Sequence, residues 1–366
     1  MSEVTTTHAY SCPKCGARIE FGAGAGELKC PYCGHQQEVA TVGDTTIDEH
    51  SYDQWAAAPT KPAGQLSSYV VKCTQCGAQT ETDRISDRCK FCASPVVIES
   101  SAMELIVPEA VIPFQIDRPT AKEKFRAWVR TRWFAPSALK KVGSTESIEG
   151  TYLPHWTYDA ETSTDYIGQR GEHYWETETY TEEVDGRTET RTQQVQKTHW
   201  YFASGNVSRS FDDVIVVANG QFPPAKTEKL GPWELTTAKA YQPDFLAGFQ
   251  TLRYDVEPDQ GLVAAKQEMT QVIESDCEDD IGGDEQRVDT MDTAYSELAF
   301  KLILLPVWIA AYLYNGKSYQ VMVNANTGQV IGDRPYSAAK IAAAVMGALV
   351  LISAAIYLYQ RSKHGA

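Results

Sequence analysis

Eight of the nine cysteines fall into four Cys-x-x-Cys pairs: Cys12 and Cys15, Cys30 and Cys33, Cys73 and Cys76, Cys89 and Cys92. Thiolates three residues apart in a tight turn can both reach one ion. Two such pairs supply the four sulfurs of a tetrahedral Zn²⁺ site, with bonds of ~2.3 Å. Fourteen residues separate the first two pairs and twelve the second two. Gly16, Gly34 and Gly77 follow three of the pairs, where the turn calls for positive φ; Ala93 follows the fourth. A lone Cys-x-x-Cys also suits a thioredoxin-like dithiol, and a four-sulfur site also suits iron in the rubredoxin manner. Pairs set two by two point instead to two structural Zn²⁺ ions, one for each set of four cysteines. A site closed by four sulfurs has no open position for water, so it is not catalytic. For segments this short, metal binding itself provides the folding free energy.

Charge bears on what such modules bind. Residues 10–39 carry three basic and three acidic side chains, and residues 69–99 carry four of each. The whole chain is at −15. Nucleic-acid binding needs a basic field, so protein contact is favoured. If the modules did bind nucleic acid, Lys29, Tyr32, Arg88 and Phe91 would carry it.

The elements that position these sites divide the chain into five stretches. The first cysteine module spans 10–39, after a polar tail. Residues 40–68, rich in acids, alanines and prolines, read as a flexible linker. The second module spans 69–99. Residues 103–334 alternate in the manner of strands, with Asp185-Gly186 and Asn315-Gly316 as hairpin turns. Helical spacing appears around Phe125, Trp128 and Val129 and again over "PDQGLVAAKQEMTQVIES". Prolines in "VIPFQI", "YLPHW" and "LLPVW" look like the first residues of strands. This predicts an α+β fold: two small four-cysteine zinc ribbons, a domain built on mixed antiparallel sheet, and a transmembrane helix over 338–360.

That helix rests on Ile341–Tyr359, nineteen residues without a charge. They reach ~28 Å, close to the hydrocarbon core of a bilayer. Lys340 and Arg334 flank one end, Arg361 and Lys363 the other, so charge does not orient it. The paired cysteines suit a reducing compartment and "MSEVTTTHAY" is no secretory signal. The expectation is a single-pass tail anchor in the cytoplasmic membrane with the bulk of the chain cytosolic.

Several tempting motifs fail. "NGKS" at 315–318 lacks the phosphate-loop glycine, since position 311 is Ala. "DCEDDIGGDE" has Ile281 where a calcium loop needs glycine, and reads as a solvated acidic turn in which the Cys277 thiol is raised. His155, His173 and His199 have no recognisable nucleophile partner. No catalytic constellation remains, so the chain does not read as an enzyme.

Each cysteine module resembles a zinc ribbon of the transcription-factor-IIB type. The order "SCPKCG", "CPYCG", "GTYLPHWTYDAETSTDYIGQRGEHY", "LLPVWIAAYLYNGKSYQVMVNANTGQVIGDRP" and a terminal span resembles a bacterial family of zinc-ribbon membrane proteins, often labelled primosomal-helicase-like. The resemblance covers nearly all of 10–360. It implies that the eight paired cysteines are ligands and the last helix an anchor. It further implies recruitment of phage-shock-protein-A-like or flotillin-like (SPFH) partners to the membrane. "VNANTGQV" resembles a PepSY-type hairpin, read here as structural. The expected function is a non-enzymatic membrane-anchored adaptor, with a membrane-tethered nucleic-acid binder as the alternative.

Overall fold

Three strands far longer than the usual five or six residues organise the molecule: Glu149–Val184, Arg187–Val217 and Glu285–Tyr314. They belong to a computed structural model that describes residues 4–39, 47–58, 69–72, 79–82, 84–88, 95–98, 106–132, 134, 148–184, 187–314, 317–333 and 336–364. The first long strand lies between the other two, antiparallel to both.

Its sequence changes character along its length, and its surroundings change with it. Thr151 to Tyr158 are buried on both faces, opposite the continuous apolar run Leu302–Val307 of the third long strand. From Glu161 to Gly168 buried and exposed residues alternate, so one face is covered and the other is not. Past Gly171, which pairs with Glu285, the third strand ends and only the hairpin continues. Residues 172–184 against 187–199 form a two-stranded arm of ~40 Å at ~3.3 Å per residue. Lys197 reaches Glu176 and Glu178 (2.5 and 2.7 Å), and Arg191 reaches Glu182 at 2.9 Å across this arm.

The covered face carries the helix Pro258–Ile281, in which Leu262, Ala265, Met269, Ile273, Cys277 and Ile281 form one buried stripe. They pack on Trp156, Tyr158, Tyr166 and Phe300. A second helix, Arg118–Arg130, starts where the Asp117 carboxylate accepts from the Thr120 N–H at 3.0 Å, and buries Ala121, Phe125 and Val129. The sheet is mixed: Ala110–Val111 runs parallel to the third long strand and Gln250–Thr251 parallel to the first.

Four expectations need correction. The prolines do not begin strands: Pro154 and Pro306 lie inside long central strands. Their carbonyls accept from the N–H groups of Ala218 and Ala325 at 3.0 and 2.9 Å, so they stay bonded to their neighbours despite the missing donor. Within 40–68, residues 47–58 are not a structureless linker. His50–Ser51 pairs with Ala299 and Phe300, and the helix Tyr52–Ala57 lays Tyr52 and Trp55 against Phe300. Val4–Ala9, in the supposed polar tail, is a strand beside Tyr69–Lys72 and Pro95–Ile98. Residues 276–281 are the last turns of a helix rather than an acidic loop, because Cys277 and Ile281 continue its buried stripe. The Cys277 thiol is raised, by burial first and then by the acids around it.

Asn324 closes the turn between Lys317–Asn324 and Val330–Gly332. Its side-chain oxygen accepts from the Asn326 and Thr327 N–H groups, with Gly328 at φ 85°. The last helix, Ala338–His364, contains an eighteen-residue stretch, Lys340–Tyr357, of mean hydropathy 2.0 with none of it buried.

The helix–sheet contact is close at Gly261, where an added Cβ would stand 2.4 Å from Tyr158 Oη and 2.9 Å from Trp156 Cδ1. Gly261→Ala is expected to destabilise the protein by about 1–3 kcal/mol through overpacking, despite alanine's better helix propensity. Val263→Ala, on the exposed side of the same helix, should stay within about 0.5 kcal/mol. Denaturant unfolding of the solubilised full-length protein distinguishes the two.

Candidate metal centre

Two turns of the same construction face each other at the N-terminal module. In each, the N–H of the glycine after the pair donates to the carbonyl of the pair's first cysteine: Gly16 to Cys12 at 2.8 Å and Gly34 to Cys30 at 3.0 Å. Both glycines sit at φ 72°, the left-handed region that a side chain disfavours. Two strands between the turns, Glu20–Phe21 and Glu27–Lys29, and one after the second turn, Gln36–Glu38, form a three-stranded sheet.

The turns bring four sulfurs together. Cys12 Sγ lies 3.6 Å from Cys33 Sγ, Cys15 Sγ lies 3.7 Å from Cys30 Sγ, and all four fall within 4.8 Å of one another. A tetrahedron with ~2.3 Å metal–sulfur bonds has edges of ~3.8 Å, so the spacing fits zinc. Cys12 and Cys30 are buried, whereas Cys15 and Cys33 are exposed. Burial acts to raise the Cys30 thiol, but the N–H groups of Cys33 and Tyr32 outweigh it and hold it down at about 7. At Cys15 the Ala17 N–H acts to lower the thiol, and the sulfurs of Cys33, Cys30 and Cys12, together with burial, push it up to about 12. Four sulfurs this close could hold a metal ion between them.

The module is docked rather than free. Phe21 meets Phe245 edge-on at 5.4 Å, and the Phe21 N–H donates to the Ala247 carbonyl at 2.9 Å. Gly24 N–H donates to Phe114 O at 2.9 Å. Ile19, Phe21 and Leu28 thereby share one core with Phe114, Tyr152, Phe249 and Trp308 of the larger domain. Sequence reasoning missed this docking, because the apolar residues between the cysteine pairs look like the module's own small core.

The second set of cysteines, Cys73, Cys76, Cys89 and Cys92, lies outside the described residues, as does Phe91. The strands flanking them are described. Tyr69–Lys72 pairs antiparallel with Gln79–Thr82, and Ser86–Arg88 with Pro95–Ile98. Of the residues expected to meet nucleic acid, Lys29 and Tyr32 are exposed, and the Arg18 guanidinium stands 5.7 Å from the Tyr32 ring.

The other titratable residues singled out in the sequence have ordinary partners. His173 pairs with Glu285 at 2.8 Å, and the His199 ring lies 4.6 Å from that of Tyr201. His155 is buried in the core. Asp159, Asp212 and Asp213 also converge. There the ammonium of Lys301 already supplies positive charge, 2.7 Å from both Asp213 and Glu49. Burial first, and then the neighbouring Glu49 carboxylate, push the Asp159 carboxyl up to about 7.

Compared with known proteins, the chain is 24% identical over 351 residues to the uncharacterized protein YdjG of Bacillus subtilis (strain 168), covering 92% of each chain. No family model matches it, and no solved structure is similar to it. The similarity runs along almost the full length of both chains.

If the first four sulfurs hold zinc, the Cys12→Ser/Cys33→Ser double variant should lose one equivalent per chain relative to wild type. Elemental analysis of protein purified without chelator measures it; unchanged zinc content would contradict the assignment.

Proposed function

We propose that the chain is a membrane-anchored zinc-ribbon adaptor that presents protein-binding surfaces at the cytoplasmic face of the membrane. The observation that carries this reading is the pairing of two features on one platform: a closed four-sulfur centre docked on the sheet, and an apolar helix with no part of its core stretch covered. A four-cysteine site fixes loop shape and leaves metal-bound water no place, which suits recognition better than catalysis.

The arm supports the same reading. Trp175 on the arm is 64% exposed, and Phe202 and Tyr201 at its base are 75% and 52% exposed; aromatic residues are enriched at protein contact surfaces. The second ribbon would hold a second Zn²⁺ through Cys73, Cys76, Cys89 and Cys92. By the family resemblance, the partners are phage-shock-protein-A-like or flotillin-like proteins. The bulk of the chain lies in the cytosol, where paired cysteines stay reduced.

Nucleic-acid binding is the second reading, favoured by exposed Tyr32 with Arg18 beside its ring. The chain's net charge of −15 weighs against it.

Two measurements test the proposal. Removal of residues 338–364 should shift the protein from the carbonate-resistant membrane fraction to the soluble one; retention would contradict the anchor. Affinity capture from gently solubilised membranes, with and without nuclease, should recover proteins that survive nuclease and disappear with the ribbon cysteine variants. Partners lost on nuclease treatment would favour the second reading.

A further inference from the structure

A cavity of about 560 Å³ lies beside the end of the second long strand, between the helix Pro258–Ile281 and the loop 223–233, which is helical over Pro224–Leu230. Its volume falls in the range of small-molecule sites. It is separate from the cysteine centre, and nothing in the adaptor reading uses it.

One wall is the buried His155, only 2% exposed. Its Nδ1 lies 3.0 Å from the Leu153 carbonyl oxygen, which can only accept, so Nδ1 carries the proton. Burial pulls the imidazole down to about 4, against the opposing effect of that carbonyl. The ring is therefore neutral, and Nε2 is an acceptor. Among the described residues no donor reaches it.

The opposite wall is one face of the helix: Ala264, Gln267, Glu268 and Gln271, at three- and four-residue spacing. Burial, and then the charge of Glu228 on the facing loop, push the Glu268 carboxyl up to about 6. Neither Glu228 nor Glu268 has an ion-pair partner among the described residues. Asp213, at the rim, is already held by Lys301. Among the described residues no lysine or arginine lines the cavity. Apart from Thr227, whose hydroxyl donates to the Pro224 carbonyl, the rest of the lining is apolar, with Val217, Pro232 and the Trp233 ring 6.3 Å from that of His155.

Acceptors on two walls, two unpaired carboxylates and an apolar side specify a ligand. It must donate hydrogen bonds, carry positive charge and bring a hydrophobic body. We propose that this cavity binds a small primary ammonium on an apolar stem, with Glu268 and Glu228 facing the charge, His155 Nε2 accepting one N–H, and Trp233 against the stem. The two unpaired carboxylates of this lining disfavour an anionic ligand.

The test uses the full-length protein in nanodiscs and 4-fluorophenethylammonium as probe, followed by ligand-detected ¹⁹F NMR, with 4-fluorophenylacetate as the anionic control. Wild type should bind the ammonium and not the acetate. Glu268→Gln, which preserves shape, should weaken binding at least about tenfold, the scale of one lost charge-assisted hydrogen bond. Glu228→Gln, on the exposed loop and harmless to folding, should weaken it in the same direction. Binding of the ammonium that is unchanged in both variants, equal binding of the acetate, or no binding to wild type stronger than ~1 mM would overturn the proposal.

Discussion

The antiparallel pairing of Glu149–Gly171 with Glu285–Ile309 is the constraint on which every other part depends. A slip of one residue would turn each buried side chain to the opposite face. Such a slip is opposed by the aromatic residues locked on one face at Tyr152, Trp156 and Tyr158. Register does shift at Asp159 and again at Ile167, where bulges let two strands of different pleat stay paired. The pairing of the first strand with the second shifts between Tyr158 and Ala160, where the N–H of Asp213, at φ 57°, donates to the Asp159 carboxylate at 2.6 Å and Lys301 bonds Asp213 from the third strand. Charge and aromatic packing thus hold one register over a pairing several times longer than usual.

From that pairing the sites follow. The doubly buried end gathers Phe114, Phe249 and Trp308, with the rings of Phe114 and Phe249 stacked at 3.9 Å. Phe21 joins this cluster, so the cysteine module is oriented by the sheet while the metal would fix its tips. The half-covered middle carries the long helix, and with it one wall of the acceptor-lined cavity. The uncovered end continues as the arm, whose polar and charged edges keep a long unpaired strand from pairing indiscriminately with other chains. One strand therefore serves as core, shelf and projection in turn, according to how many faces its sequence makes apolar.

Much of the candidate metal centre was legible in the sequence. The spacing of Cys12, Cys15, Cys30 and Cys33 and the glycines at 16 and 34 specify two facing turns, and those turns place the sulfurs at tetrahedral distances. The α+β class, the hairpin partners, both main helices and the apolar C-terminal helix were legible too, because each depends on local period and turn chemistry. What was not legible depends on distant partners. Pro154 and Pro306 look like strand starts until their neighbours Ala218 and Ala325 are known. Asp276–Ile281 looks like a loop until the buried stripe that Cys277 completes is traced back to Leu262. His155 reads as a core histidine, and so it is. The facing carboxylates of Glu228 and Glu268 come from segments no sequence window contains.

The measurement that tests the adaptor account most directly is photo-crosslinking in living cells from a photoreactive residue placed at Trp175 on the arm or at Tyr32 on the ribbon. The account predicts discrete protein adducts at the membrane, lost from the Tyr32 position when the ribbon cysteines are replaced. Adducts to nucleic acid alone, or none from either position, would contradict it.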